Sequence, residues 1–235
     1  MTAIGFSTGA LALGDFQTAL NLVRHKRISA IELSALRVHE LPDLVTALPH
    51  LDLKQFSYVA IHAPSSFDAH EEEELIIELL RNVPNRFPIV LHPDTIHDSA
   101  RWTAFGAQLL IENMDRRKSD GRTAKELGAW LNRLPDAGIC FDIAHAQHFD
   151  PTMTEAFRIL GQFGNRIRQV HISELDSASR HFPLSYSATQ AFSEVTGRIP
   201  REAAFIVESR ITQNEIDSEL QKVQSLVSQM ELVPA

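Results

Sequence analysis

The sequence predicts a single (β/α)8 barrel over residues 1–235, and three observations carry that expectation. Eight short apolar runs, bounded by turn-type residues, alternate with helix-type segments, the pattern of parallel strands buried on both faces. The runs end near positions 7, 34, 62, 92, 112, 142, 171 and 208, about 29 residues apart on average, which suits a barrel of roughly 250 residues. Six of them end in a residue able to bind a metal or move a proton: His62, His92, Glu112, Asp142, His171 and Glu208. An open doubly wound sheet uses the same units but has no need of polar strand ends converging on one mouth.

The elements follow in order. Ala3 to Ser7 forms the first strand and ends in a turn-like Ser7-Thr8-Gly9. Asp15 caps a helix whose Phe16, Ala19, Leu20 and Val23 share one face. Ile28 to Leu33 is the second strand, with Glu32 inside it divided between a barrel-interior role and a substrate role. Leu41-Pro42-Asp43 opens a short helix that stops by Pro49, and the third strand closes at His62. Glu71 to Val83 is an amphipathic helix with four leading glutamates at its positive N-terminus. The fourth strand ends at His92-Pro93, and a short helix follows around His97 to Phe105. Leu109-Leu110-Ile111-Glu112 is the fifth strand. Thr123-Ala-Lys-Glu126 is a capping-box pattern ahead of Leu127, Trp130, Leu131 and Leu134. The sixth strand ends at Asp142, and Asp150-Pro151 starts a helix with proline at its first position, running towards Gly161. Ile167 to His171, a helix over Ser187 to Val195, Ala203 to Glu208 and a final helix from about Thr212 to Met230 complete the series.

Composition bounds the function. Hydrophobic residues at 44% and charged residues at 22% suit a soluble globular enzyme. No apolar run is long enough for a membrane span, and the N-terminus lacks a basic region followed by an apolar core. Cys140 is the only cysteine, which excludes an intramolecular disulfide and fits a buried thiol in a reducing compartment, so the expected location is cytoplasmic. A net charge of −8 argues against broad binding to a nucleic-acid backbone. The oligomeric state stays open, a homo-oligomer included.

In a barrel the C-terminal strand ends share one face, and that face carries the chemistry. His62, His92, Glu112, Asp142, His171 and Glu208 would therefore converge despite their separation in sequence. Imidazoles and carboxylates are ligands for zinc, manganese or magnesium. Clustered carboxylates without a cation would repel one another, whereas a dication makes the arrangement favourable. His145, three residues beyond Asp142, returns to the same mouth, and His181 lies in the loop after the seventh strand. Arg116, Arg117, Lys118 and Arg122 follow the fifth strand on the same side and could hold a phosphate or carboxylate, or simply face solvent.

The series Ile61-His-Ala-Pro64, Leu91-His-Pro93, Ile111-Glu-Asn113, Phe141-Asp-Ile-Ala-His145, Val170-His-Ile-Ser173 and Val207-Glu208 resembles the xylose isomerase-like TIM-barrel superfamily. That group holds sugar isomerases and epimerases, and apurinic endonucleases of the endonuclease IV type. The resemblance runs from about Ile4 to Glu208. For the isomerase branch it implies one divalent ion on Glu112, Asp142, His171 and Glu208. The two glutamates then move a proton, and His62, His92 and His145 meet substrate hydroxyls. For the endonuclease IV branch it implies a three-zinc site, with His62, His92, His145 and His181 as further ligands. Ser179 departs from that pattern, which has aspartate there, and the chain is short for DNA-inserting loops.

The sequence thus points to a divalent-metal enzyme for a small polyhydroxylated or phosphorylated substrate, with isomerase or epimerase chemistry first. Glu112, Glu208 and His145 are its catalytic candidates, and His62, His92, Arg116 and Arg117 its substrate-binding ones. A multinuclear zinc phosphoester hydrolase without DNA-binding loops is the alternative. A ligand-binding barrel without catalysis comes third, since it has no need of so many ionisable groups at one mouth.

Overall fold

In the computed structural model, which describes residues 2–67 and 70–230, the eight expected strands form and close on themselves. The strands are β1 (Ile4–Ser7), β2 (Ala30–Ser34), β3 (Tyr58–His62), β4 (Ile89–Leu91), β5 (Leu109–Glu112), β6 (Gly138–Asp142), β7 (Ile167–Ile172), the short β8 (Glu174–Leu175) and β9 (His181–Phe182), and β10 (Ala204–Val207). The barrel runs β1 to β7 in order, then β10, which pairs back onto β1, and every barrel pairing is parallel. The expected bounds of 1–235 take in residues 1, 68, 69 and 231–235, which lie outside the described residues.

The helices are α1 (Thr8–Ala12), α2 (Phe16–Val23), α3 (Leu41–Ala47), α4 (His70–Leu80), α5 (Ser99–Trp102), α6 (Ala124–Arg133), α7 (Ile143–Phe149), α8 (Thr154–Phe163), α9 (Tyr186–Thr196) and α10 (Ile216–Met230). Among the described residues, none is long and apolar enough to cross a membrane. Alternation along the strands sorts their side chains into two cores. Ile31, Leu33, Ile61, Ile111, Phe141, Val170 and Phe205 are fully buried in the layer shared with the helices. Val90, Leu110 and Cys140 form a separate small cluster on the other face, inside the barrel. The residues two positions further along the strands therefore point into the barrel mouth. Gly5 belongs to this inner series, and a Cβ there would lie 1.7 Å from the Ala30 carbonyl oxygen, so no larger residue fits between β1 and β2.

Several local expectations change. Ser7-Thr8-Gly9 is not a turn but the entry to α1. The helix after β6 does not start at Pro151. Asp142 itself caps α7, its side chain accepting the backbone N–H of His145 at 2.7 Å. Asp150 then holds a turn by accepting the N–H groups of Thr152 and Glu155 at 3.0 and 2.9 Å, and α8 begins only after Met153, whose φ is 59°. The expected helix around His97 to Phe105 divides into α5 and a 3-10 segment (Thr103–Gln108) broken at Gly106, φ 51°. Thr123 caps α6 as expected, but Glu126 reaches back to the N–H and guanidinium of Arg122 rather than to the cap residue. The loop after β7 contains a hairpin, β8–β9.

Candidate metal centre

Glu112, at the end of β5, stands in the middle of the barrel mouth and is 1% exposed. Its two oxygens face different partners. Oε2 lies 3.2 Å from His62 Nε2 and 3.3 Å from His92 Nε2. Oε1 lies 3.2 Å from His145 Nδ1 and 3.4 Å from His171 Nδ1. Ligand-type atoms of Glu112, Asp142, His171 and Glu208 all fall within 4.8 Å of one another, and so do those of His62, His92 and Glu112. Glu112 thus belongs both to a histidine-rich set and to a carboxylate-rich one, which adjoin in one cluster. His62, His171 and Glu208 meet the same distance condition, as do Glu112, Cys140 and His171.

The donor set fits a divalent cation. Among the described residues, Asp142 Oδ2 and His171 Nδ1 are buried without a hydrogen-bond partner, and His171 Nδ1 lies 3.5 Å from Glu208 Oε2. Buried polar atoms left unpaired are costly, and a shared ion would satisfy both. The scaffold aims the remaining atoms. His62 Nδ1 sits 2.7 Å from the Ala63 carbonyl, so it donates there and leaves Nε2 towards Glu112. Asn113 ties β5 to β6 by donating to the Asp142 carbonyl and accepting the Asp142 N–H, both at 2.8 Å. His145 Nδ1 donates to the Asn113 carbonyl at 2.9 Å. On the opposite wall, His171 Nε2 lies 2.9 Å from Glu32 Oε2 and 2.8 Å from Gln169 Nε2. Gln169 Nε2 donates to the same Glu32 oxygen at 2.6 Å, and the Tyr58 hydroxyl donates to Gln169 Oε1 at 2.9 Å.

The electrostatics split the carboxylates. Burial works to raise Glu112, but the charges of His171 and His92 and the close approach of His145 hold it well below the usual carboxylate range. Glu208 goes the other way, pushed up to about 7 by burial and by the negative charges of Glu112, Glu32 and Asp142. Asp142 is also raised, first by burial. Burial disfavours charge on His62 and His145, yet the neighbouring carboxylates lift them to about 9 and about 10. His92 and His181 are lowered, burial being the main cause in each. Burial also pushes the Cys140 thiol up, away from nucleophilic use.

A cavity of about 380 Å³ opens above this ring, lined among others by Ser7, Ser34, His62, His92, Glu112, His145, His181 and Glu208. A larger groove of about 680 Å³ lies between α2 and residues 51–56, but no ligand-type group forms there among the described residues. Of the expected anion-binding residues, Arg117 and Lys118 line the mouth cavity, whereas Arg116 is exposed outside it and Arg122 pairs with Glu126 on α6. Arg117 donates to the Ala178 carbonyl, and Lys118 pairs with Asp94 at 2.8 Å. His145 and His181 face each other with ring centroids 6.0 Å apart. Among the described residues no third ligand set forms around them. Ser179, at φ 56°, turns its hydroxyl towards His148 Nδ1 at 3.5 Å.

Several residues lining the cavity escaped the sequence reading, Ser34, Ser65, Asp115 and Arg210 among them. Arg210, two positions after Glu208, lines the cavity and makes no ion pair or side-chain hydrogen bond among the described residues; that spacing from a strand-end carboxylate was its only signal. Glu32, which the sequence divided between two roles, belongs to the barrel interior, as its position two residues before the end of β2 signals.

Comparison with known proteins gives concordant findings. Residues 100–222, just over half of the chain, match the family described as xylose isomerase-like TIM barrel. No curated protein matches. Endonuclease IV from Thermus thermophilus aligns at a TM-score of 0.61 and 17% identity, over 98% of this chain and 100% of that one. A xylose isomerase domain protein from Alicyclobacillus acidocaldarius gives 0.69 at 12% identity, over 98% and 100%. A xylose isomerase-like TIM barrel protein from Mycobacterium smegmatis, solved in complex with magnesium, gives 0.59 at 14% identity, over 97% of each chain. At these identities the likeness carries the fold.

Proposed function

Because the chain belongs to the xylose isomerase-like TIM-barrel family, we propose that it is a divalent-metal-dependent enzyme acting on a small phosphorylated or polyhydroxylated compound. One observation carries this reading: Glu112 turns Oε2 to His62 and His92 and Oε1 to His145 and His171, and it is shared by the set His62, His92 and Glu112 and the set Glu112, Asp142, His171 and Glu208. A carboxylate shared between two sets suits a pair of ions. The sequence alone puts isomerase or epimerase chemistry first; the shared carboxylate moves phosphoester hydrolysis ahead of it.

His62, His92 and Glu112 would hold one ion, and Glu112, Asp142, His171 and Glu208 the other. Bound there, the ions would supply Lewis-acid polarisation of an oxygen and neutralise charge that develops on it. The chain's own residues do the rest. Glu208, close to neutral pH in its titration, can hold or release a proton beside the ligand ring. A cavity of about 380 Å³ suits a small molecule, and the net charge of −8 argues against a nucleic-acid duplex. Arg210 offers its guanidinium to an anionic end of the substrate, while Arg117 and Lys118 are already engaged.

Metal analysis tests the reading. Two tightly held zinc or manganese ions per chain, together with turnover of small phosphate esters, are expected. Protein that carries no divalent ion and takes none up on titration sinks the metal reading altogether. A second reading rests on a different observation. Glu112 and Glu208 lie on one ring with titrations pushed in opposite directions, the arrangement of an acid/base pair for isomerisation or epimerisation. One exchangeable manganese or magnesium per chain, with proton exchange at a substrate carbon, would favour it.

A further inference from the structure

We propose that Glu32 is a positioning residue: it fixes the tautomer and orientation of His171 so that His171 Nδ1 faces the metal. This inference rests on the metal reading above and concerns a residue that contributes no atom to either ligand set.

Glu32 is 0% exposed on the inward face of β2, one layer below the strand ends. Its Oε2 lies 2.9 Å from His171 Nε2, and both side chains are completely buried. A carboxylate accepts hydrogen bonds and donates none, and the Gln169 amide nitrogen, 2.8 Å from the same ring nitrogen, has acceptors for its two hydrogens in Glu32 Oε2 at 2.6 Å and Cys140 Sγ at 3.5 Å. The ring hydrogen of neutral His171 therefore sits on Nε2, and Nδ1 keeps its lone pair. Nδ1 is the atom that lies 3.4 Å from Glu112 Oε1 and 3.5 Å from Glu208 Oε2, with no hydrogen-bond partner of its own among the described residues. Glu32 is itself held. Gln169 donates to it, and the Tyr58 hydroxyl, from the first residue of β3, holds the Gln169 amide oxygen. A line of four side chains thus runs up the barrel interior and ends on the ligand ring.

Stability alone does not call for this. Burying a carboxylate against an imidazole costs desolvation that their interaction need not recover, and apolar residues of similar volume often serve as well or better. An apolar residue at position 32, however, could not hold the Nε2 hydrogen or raise the basicity of Nδ1. Carboxylate partners of ligating histidines do both, and their loss weakens metal binding about tenfold to a hundredfold.

The test titrates zinc alone, against a chromophoric chelator, into metal-free full-length protein: wild type, Glu32→Gln, His171→Asn and the double variant. Glu32→Gln keeps the shape and removes the charge. Its zinc affinity is expected to fall about tenfold to a hundredfold. In the His171→Asn background the same change should cost at most about twofold, because the effect passes through the ring. In zinc-loaded wild type, 15N spectra should show His171 protonated at Nε2 with a strongly deshielded hydrogen, and Glu32→Gln should move that hydrogen upfield. Should Glu32→Gln fail to fold, Glu32→Asp keeps the charge and withdraws it from the ring, with a loss again expected. Unchanged affinity in the folded Glu32 variant overturns the proposal, and so does a loss that persists in full without His171. Absence of zinc binding by the wild type overturns this inference and the metal reading together.

Discussion

A carboxylate that is 1% exposed and still ionised needs positive charge close to both oxygens, and Glu112 has histidines at 3.2–3.4 Å on each side. Glu112→Gln removes the charge from both ligand sets at once. Metal affinity is therefore expected to fall by more than the roughly hundredfold that loss of an outer partner costs, and elemental analysis of purified protein should find less than one ion per chain. Retention of two ions would contradict the shared role. At the cavity rim the consequence differs. Arg210 belongs to neither ligand set, so Arg210→Ala should leave metal content intact and raise KM for an anionic substrate. A lost charge-assisted hydrogen bond is worth about 1.5–3 kcal/mol, roughly tenfold to a hundredfold in KM. An equal fall in kcat would place Arg210 elsewhere in the reaction. The ring itself was legible in the sequence, because each of its members ends an apolar run. Arg210 was not legible, being one of many loop arginines. Nor was the partner of Glu32, which lies 139 residues away in sequence.

The eight strands were legible for the same physical reason. A parallel strand buried on both faces must be apolar along its length, and its first polar residue marks where it leaves the barrel. The elements that escaped are short. α1 has five residues and α7 seven, too few for a helical period to show. α7 also borrows its cap from Asp142, a residue already read as a strand end. β8 and β9 have two residues each, so no alternation can develop, although β9 begins at His181. Two substitutions separate local from barrel-wide effects. Thr123→Ala deletes the hydrogen bond that its hydroxyl accepts at the start of α6. It should cost about 1 kcal/mol, a fall of about 2–4 °C in the melting midpoint, with metal binding unchanged. Gly5→Ala instead drives a methyl group to 1.7 Å from the Ala30 carbonyl, where β1 and β2 must pair for the barrel to close. Overpacking against backbone should cost about 3 kcal/mol or more, seen as loss of soluble protein or a drop in midpoint several times that of Thr123→Ala. A midpoint equal to wild type would mean that β1 and β2 are not seated this closely.

For the molecule as a whole, the ligand ring ties stability to protons and metal together. In the metal-free protein His62, His145 and Glu208 are raised to about 9, about 10 and about 7 from ordinary values of 6.5, 6.5 and 4.5. Each holds its proton more firmly folded than unfolded. A raised group contributes stability that is complete below its unfolded value and is lost as pH rises through its folded value. The lowered groups of the ring do not interfere above pH 6.5: His92 and His181 act below 6.5, and Glu112 and Glu32 below 4.5. Between about pH 6.5 and 9 the metal-free barrel should therefore become steadily less stable as far as this site is concerned. A bound dication does the work of those protons without being lost at high pH, and its affinity rises as the ligands deprotonate. With metal at a thousandfold over its Kd the stabilisation is about 4 kcal/mol, on the order of ten degrees in midpoint for a chain of this size. Melting curves with saturating zinc and with excess chelator, taken at about pH 6.5, 7.5 and 8.5, should accordingly draw apart as pH rises. A gap that stays flat or narrows would mean that the ring titrates without a cation to replace its protons, and the two ligand sets around Glu112 would then be a hydrogen-bonded polar core instead.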